Sequence, residues 1–207
     1  MKQLWLCLLV LAVVLAWMSV VAFRFIGSLD QYCGVHRSDT RQEVLYRLGS
    51  PPSVVGPPEK TEFGMGSPVY TPGSQDPKRA MPDGKKIEDF PEWTYELNAD
   101  ATVSVYFDGQ DKVEGIECLT GHAGGCPDLA GVAFNDTEEQ VMHKLGTRHV
   151  RSQLLGVAKE IQFDDLGVVI YLTKDRVYMM KLLGARPATG AVFLHYLMAL
   201  PGRLIPN

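Results

Sequence analysis

The stretch Asp39 to Gly49, DTRQEVLYRLG, returns 97 residues later as DTEEQVMHKLG, Asp136 to Gly146. One short pattern written twice implies one local structure used twice, and its ends are both marked. Thr40 with Glu43, and Thr137 with Gln140, fit the T-x-x-E/Q capping box, in which the hydroxyl and the acidic or amide side chain satisfy orphan backbone N–H groups. Each cap stabilises a helix by about 1 kcal/mol. Val44, Leu45 and Leu48, with Val141, Met142 and Leu145 after them, form a narrow apolar stripe suited to docking on a sheet. Gly49 and Gly146 end both helices, because glycine takes the left-handed conformation without a Cβ penalty.

The flanks repeat as well. Trp93–Leu97, Thr102–Phe107 and Lys112–Leu119 alternate large and polar side chains, which predicts three antiparallel strands joined by turns. After the second helix come Lys159–Asp165, Gly167–Thr173 and Arg176–Leu183. Asp111–Leu119 aligns with Asp175–Leu183 at an offset of 64, and the shortfall from 97 is about the length of a Pro-rich stretch in the first half. The expected fold class is therefore α+β, with two tandem units, each a helix followed by a three-stranded antiparallel meander.

The expected organisation is a transmembrane anchor or signal segment over residues 1–26 and a tether over 27–37. A first unit follows over 38–121 with an insertion at 50–91, then a second over 122–184 and an apolar tail over 185–207. Gln3 to Phe23 carries no charge, and about twenty residues at 1.5 Å rise span a bilayer core of roughly 30 Å. This predicts a single-pass inner-membrane protein with its C-terminal part in the periplasm, with cleavage near Ala22 and export as the alternative. Nine of the thirteen prolines fall between Pro51 and Pro91, which predicts an extended loop with one short helical turn near Ile87 to Phe90. The tail, rich in Leu, Ala and aromatics from Ala188 to Leu200, reads as a docked or interfacial helix covering the apolar second face of the later sheet.

The run T-x-x-[EQ]-V-x-x-x-L-G, then W-x-Y and V-x-V-x-F-x-x-x-x-x-V, is carried by Thr40, Glu43, Val44, Leu48, Gly49, Trp93, Tyr95, Val103, Val105, Phe107 and Val113. It resembles the SmpA/OmlA/BamE family of small bacterial envelope lipoproteins. The tandem arrangement also resembles the beta-lactamase inhibitor protein, built from two such units. The resemblance implies a binding module for proteins or envelope components, in outer-membrane or envelope assembly, and not an enzyme. Neither Cys7 nor Cys33 sits in a lipobox.

Chemistry has few footholds. A formal net charge of −4 argues against a nucleic-acid partner. No G-x-S-x-G elbow, P-loop or H-E-x-x-H occurs, so no catalytic residue and no cofactor is expected. Cys118, His122 and Cys126 form a C-x3-H-x3-C array. Two close thiols in an exported domain point to a Cys118–Cys126 disulfide, and the alternative is a metal- or small-molecule-binding envelope enzyme centred on the three residues. Asp164 and Asp165, ahead of Gly167, read as turn residues and not as an acid–base pair. The leading expectation is a membrane-anchored module that binds another envelope protein through Trp93, Tyr106, Tyr178 and the Pro-rich loop.

Overall fold

A computed structural model describes residues 9–10, 12–13, 29–61, 64–121, 125–147 and 150–184. A two-stranded hairpin, β1 (Gln31–Tyr32) and β2 (Val35–His36), leads into helix α1 (Arg41–Leu48). β3 (Ser53–Val55), a small hairpin of β4 (Glu59–Thr61) and β5 (Gly64–Gly66), β6 (Val69–Tyr70) and a 3-10 turn at Ile87–Asp89 occupy the Pro-rich stretch. The meander β7 (Glu92–Asn98), β8 (Ala101–Phe107) and β9 (Val113–Thr120) follows. Helix α2 (Glu138–Leu145) then precedes β10 (Val150–Leu155), β11 (Ala158–Phe163), β12 (Val168–Thr173) and β13 (Arg176–Leu183).

Both capping boxes form. The Thr40 hydroxyl accepts from the Glu43 amide, and the Glu43 carboxylate accepts from the Thr40 amide at 2.7 Å. Thr137 and Gln140 repeat the exchange, with the return bond at 2.8 Å. Each helix start is also fastened to a strand start. The Val113 amide donates to the Asp39 carbonyl and the Val177 amide to the Asp136 carbonyl, both at 3.0 Å. α1 thus hangs from the start of β9 and α2 from the start of β13, and these two strands are neighbours.

That neighbour relation corrects the expected architecture. β9 and β13 pair antiparallel from Gly115–Leu183 to Leu119–Met179, so all the meander strands join one nine-stranded sheet, ordered β10-β11-β12-β13-β9-β8-β7-β3-β6. Over the described residues from Leu29 to Gly184 the protein is mostly β, with two short helices beside one large antiparallel sheet, and not a tandem of α+β units with a three-stranded sheet each. Val44 from α1, Val141 and Leu145 from α2, Ile116 and Met180 from the central strands belong to a single apolar cluster. The later meander has four strands and the earlier one is lengthened by β3 and β6.

The Pro-rich stretch is not simply a loop. Proline cannot donate to a ladder, yet β3 lies between Pro51–Pro52 and Pro57–Pro58 and so offers three free donors. Val54 pairs with Trp93 and is fully buried. The tether is also part of the core: Leu29, Tyr32 and Val35 are buried. The Arg37 guanidinium donates to the Leu29 carbonyl and, at 2.6 Å, to the Leu166 carbonyl, joining the first hairpin to the β11–β12 turn.

The membrane expectations are withdrawn. Among the described residues no helix is long and apolar enough to cross a membrane. Of the expected span only Leu9, Val10, Ala12 and Val13 are described, as exposed helical residues. A single-pass inner-membrane placement, and a membrane partner held through an N-terminal helix, therefore have no support in the structure. The apolar tail expected over 185–207 lies outside the described residues.

Candidate functional site: the open face of the sheet

Alternation along the strands gives the sheet two unlike faces. Val103, Val105, Ile116, Cys118, Ile170 and Met180 point to the helix side and are buried. The other face carries a polar row that crosses the seam between the two meanders. Thr94, Ser104, Glu117, Lys181, Val169 and Gln162 stand directly opposite one another on six successive strands.

The row is knit by its side chains. Lys181 and Glu117 are cross-strand partners with Nζ to Oε2 at 3.8 Å. Lys181 Nζ also lies 4.0 Å from the centroid of the Tyr106 ring, a cation–π contact that contributes about 0.5–2 kcal/mol. The Tyr106 hydroxyl donates to Glu117 at 3.4 Å, and Ser104 donates to Glu92 at 2.7 Å. Gly115, opposite Tyr106, makes the room: a Cβ there would stand 2.9 Å from Lys181 Cε. Burial pushes the Glu117 carboxyl above the usual range and nearby Glu92 adds to this, while Lys181 and Tyr106 pull it back. Burial, then Glu117 and Glu92, raise the Tyr106 phenol.

A second row runs beside it. Glu160, Tyr171, Met179, Leu119 and Thr102 are successive cross-strand partners, so an apolar stripe starts beside an acid. Leu119 is exposed, and Tyr171 and Met179 are half-buried. Burial raises the Tyr171 phenol, with Glu160 next in effect. The ladder slips between Tyr171 and Leu172, leaving Tyr178 as the extra residue of a β-bulge close to Tyr171. Bulges re-aim the side chain they carry.

The site residues read from sequence separate. Tyr106 and Tyr178 lie on or beside this face. Trp93 does not: it is fully buried, its indole N–H donates to the Ile87 carbonyl at 3.0 Å, and its ring meets Phe107 edge-on at 4.6 Å. Cys118 and Cys126 are joined in a disulfide with a Cα–Cα distance of 6.1 Å. Both sulfurs are therefore unavailable as thiolate ligands, and His122 lies outside the described residues. Among the described residues no cluster of three or more His, Cys, Asp or Glu is placed for a metal. Asp164 pairs with Arg151 at 2.5 Å. Tyr171, Glu160 and Lys181 were not singled out by sequence reasoning, although the alternation of KEIQFDD, GVVIYLT and RVYMMKLL carries their placement.

A separate cavity of about 400 Å³ opens beside Arg37, Asp108, Lys112 and Glu114. Its Asp108 carboxylate is engaged in the β8–β9 turn, accepting from the Gln110 and Lys112 amides at 2.8 and 3.0 Å.

No family model matches the chain, and no curated protein matches it. Among solved structures it is similar to a DUF4309 family protein, YjgB, from Bacillus subtilis, at 12% identity and a TM-score of 0.39, over 70% of this chain and 78% of that one. It is similar also to an extracellular protein containing a SCP domain from Bacillus anthracis, at 11% identity and a TM-score of 0.38, over 70% of this chain and 43% of that one. At such scores neither carries an activity across. The expected membership of the SmpA/OmlA/BamE family, and the likeness to the beta-lactamase inhibitor protein, are overturned: those motif residues are capping and core positions of a single large sheet, not of tandem helix-plus-meander units.

Proposed function

We propose that the chain is a protein-binding module of an oxidising compartment and that its partner seats on the open face of the sheet around Tyr106, Tyr171 and Tyr178. The observation that carries this reading is the face itself. It offers three tyrosines, Met179 and Leu119 on rigid central strands, the residue types that anchor interfaces. Glu92, Glu96, Glu117 and Glu160 outnumber Lys181 and Arg151 on this face, and Arg151 is already paired with Asp164, so the partner presents a basic group flanked by apolar side chains. The Cys118–Cys126 disulfide supports the compartment, since such bonds persist outside the reducing cytosol.

A photoreactive residue placed at Leu119 or at Tyr171, in cells that make the protein, tests the reading. The expected result is one and the same cross-linked protein from both positions, with none from Tyr46, which is 92% exposed on α1. Equal capture from Tyr46, or different proteins from Leu119 and Tyr171, would contradict it.

A further inference from the structure

The nine-stranded sheet has two ends, and they are built differently. At one end β6 is two residues long, with Pro68 before it and Pro72 after it. Short length and proline are the usual devices that blunt a sheet edge against pairing. At the other end β10 runs for six residues, Val150–Leu155, in unbroken register with β11 and without Pro, Gly or a bulge. Its one charge, Arg151, is tied to Asp164 by bonds of 2.7 and 2.5 Å. Every residue of β10 after Val150 is exposed, Leu154 to 78%. Among the described residues no strand, proline or bulge blocks this edge, and it turns a row of backbone N–H and C=O groups outward.

The sequence of β10 restricts what can pair with it. A two-fold axis perpendicular to the sheet keeps the helix side of one copy continuous with the helix side of the other. Paired residues must then share a face, so the axis passes through a residue and not between two. Through Ser152 it sets Val150 opposite Leu154 and Arg151 opposite Gln153. Val150, Ser152 and Leu154 lie on the helix side, opposite Phe163, Ile161 and Lys159, and Arg151 and Gln153 lie on the open face. Apolar meets apolar, and polar meets polar. Through Gln153 it would instead set Arg151 opposite Leu155 and Ser152 opposite Leu154, a mismatch on both faces.

We propose that β10 is an association edge and that its occupant is β10 of a second copy, antiparallel and centred on Ser152, so that two nine-stranded sheets continue into one. Leu154 of each copy then covers Val150 of the other. This goes beyond the open-face reading and does not depend on it, because no residue of the Tyr106 and Tyr171 rows is consumed.

The test uses the purified full chain with Cys7 and Cys33 replaced by Ser. Opposed residues in an antiparallel pair have Cα atoms about 4.5–5.5 Å apart, within disulfide reach. Ser152→Cys therefore cross-links two copies under mild oxidation. Gln153→Cys does not, because along this register its two copies are roughly 8 Å apart. By light scattering the parent runs at twice the chain mass of 22.9 kDa. Ser152→Asp sets two carboxylates face to face and raises the dissociation constant at least tenfold while the far-UV spectrum of the folded chain is retained. A monomeric parent at tens of micromolar, or a dimer that Ser152→Asp leaves intact, would overturn the proposal. So would equal cross-linking through Gln153→Cys, which would also decide the matter should Ser152→Asp fail to fold.

Discussion

Replacing Arg41 by Met tests how the Pro-rich stretch is held against the rest of the protein. Arg41 opens α1, and its side chain is 10% exposed against 70% for its partner Asp111. Its guanidinium donates to Asp111 at 2.7 Å and to the Phe90 carbonyl at 2.5 Å, and lies 4.4 Å from the Phe107 centroid and 5.6 Å from that of Trp93. It therefore clamps the end of the 3-10 segment, the β8–β9 turn and the Trp93 pair at one point. Methionine keeps the apolar stem and removes the rest. A hydrogen bond to a charged donor contributes about 1.5–3 kcal/mol, and a desolvated cation–π contact about 1–2 kcal/mol. The cost of desolvating the guanidinium offsets part of this. The net loss is about 3 kcal/mol, or roughly 6–12 °C in Tm for a chain of this size. Asp111→Asn keeps a residue tolerant of φ +61° and removes only an exposed partner, at a cost of about 0–1 kcal/mol. Thermal and urea unfolding of both variants decide. A Met variant within about 2 °C of the parent, or an Asn variant as destabilised as the Met one, would refute the clamp.

Two further perturbations follow from the same geometry. Converting Cys118 and Cys126 to Ser releases a loop closed over a separation of eight residues, which costs about 2.5 kcal/mol in the chain-entropy model and is read as a lower urea midpoint, reproduced in the parent by reduction. Glu117→Gln tests the buried carboxylate. The folded state raises its pKa, so in the parent Glu117 contributes most below the ordinary glutamate value and loses that contribution as pH rises through the folded one. The stability of the parent relative to the Gln variant should therefore increase as pH falls from 7 to 4, and a pH-independent difference would contradict the burial argument.

Local structure was legible in the sequence wherever one short segment determined it. The capping boxes at Thr40 and Thr137, the glycines that end both helices at φ +80° and +86°, and the alternation of β7, β8, β9, β12 and β13 all rest on side chains near one another in the chain. The single sheet was not legible, because it depends on β9 and β13 pairing across some 64 residues, and each of them also reads as the last strand of a separate meander. β10 was missed because Val-Arg-Ser-Gln-Leu-Leu does not alternate cleanly when only an edge is buried. β3 was missed because two proline pairs mark a loop unless the buried Val54 between them is known to pair with Trp93. Trp93 itself shows why an alternating strand alone does not make a contact residue: the same periodicity places it in the core and Tyr106 outside. The tyrosines of the open face were only partly legible, since Tyr178 owes its position to a bulge that depends on its partner strand.

The central claim is that partner recognition resides on the open face. It is tested most directly by calorimetric titration of the captured partner into the Tyr106→Ala, Tyr171→Ala double variant, with Tyr46→Ala as the surface control. Interface tyrosines of this kind contribute about 1–2 kcal/mol or more each, so the double variant should bind at least tenfold more weakly while its far-UV spectrum is retained and the control binds as the parent does. Unchanged affinity in a folded double variant, or an equal loss in the Tyr46 control, would contradict the account.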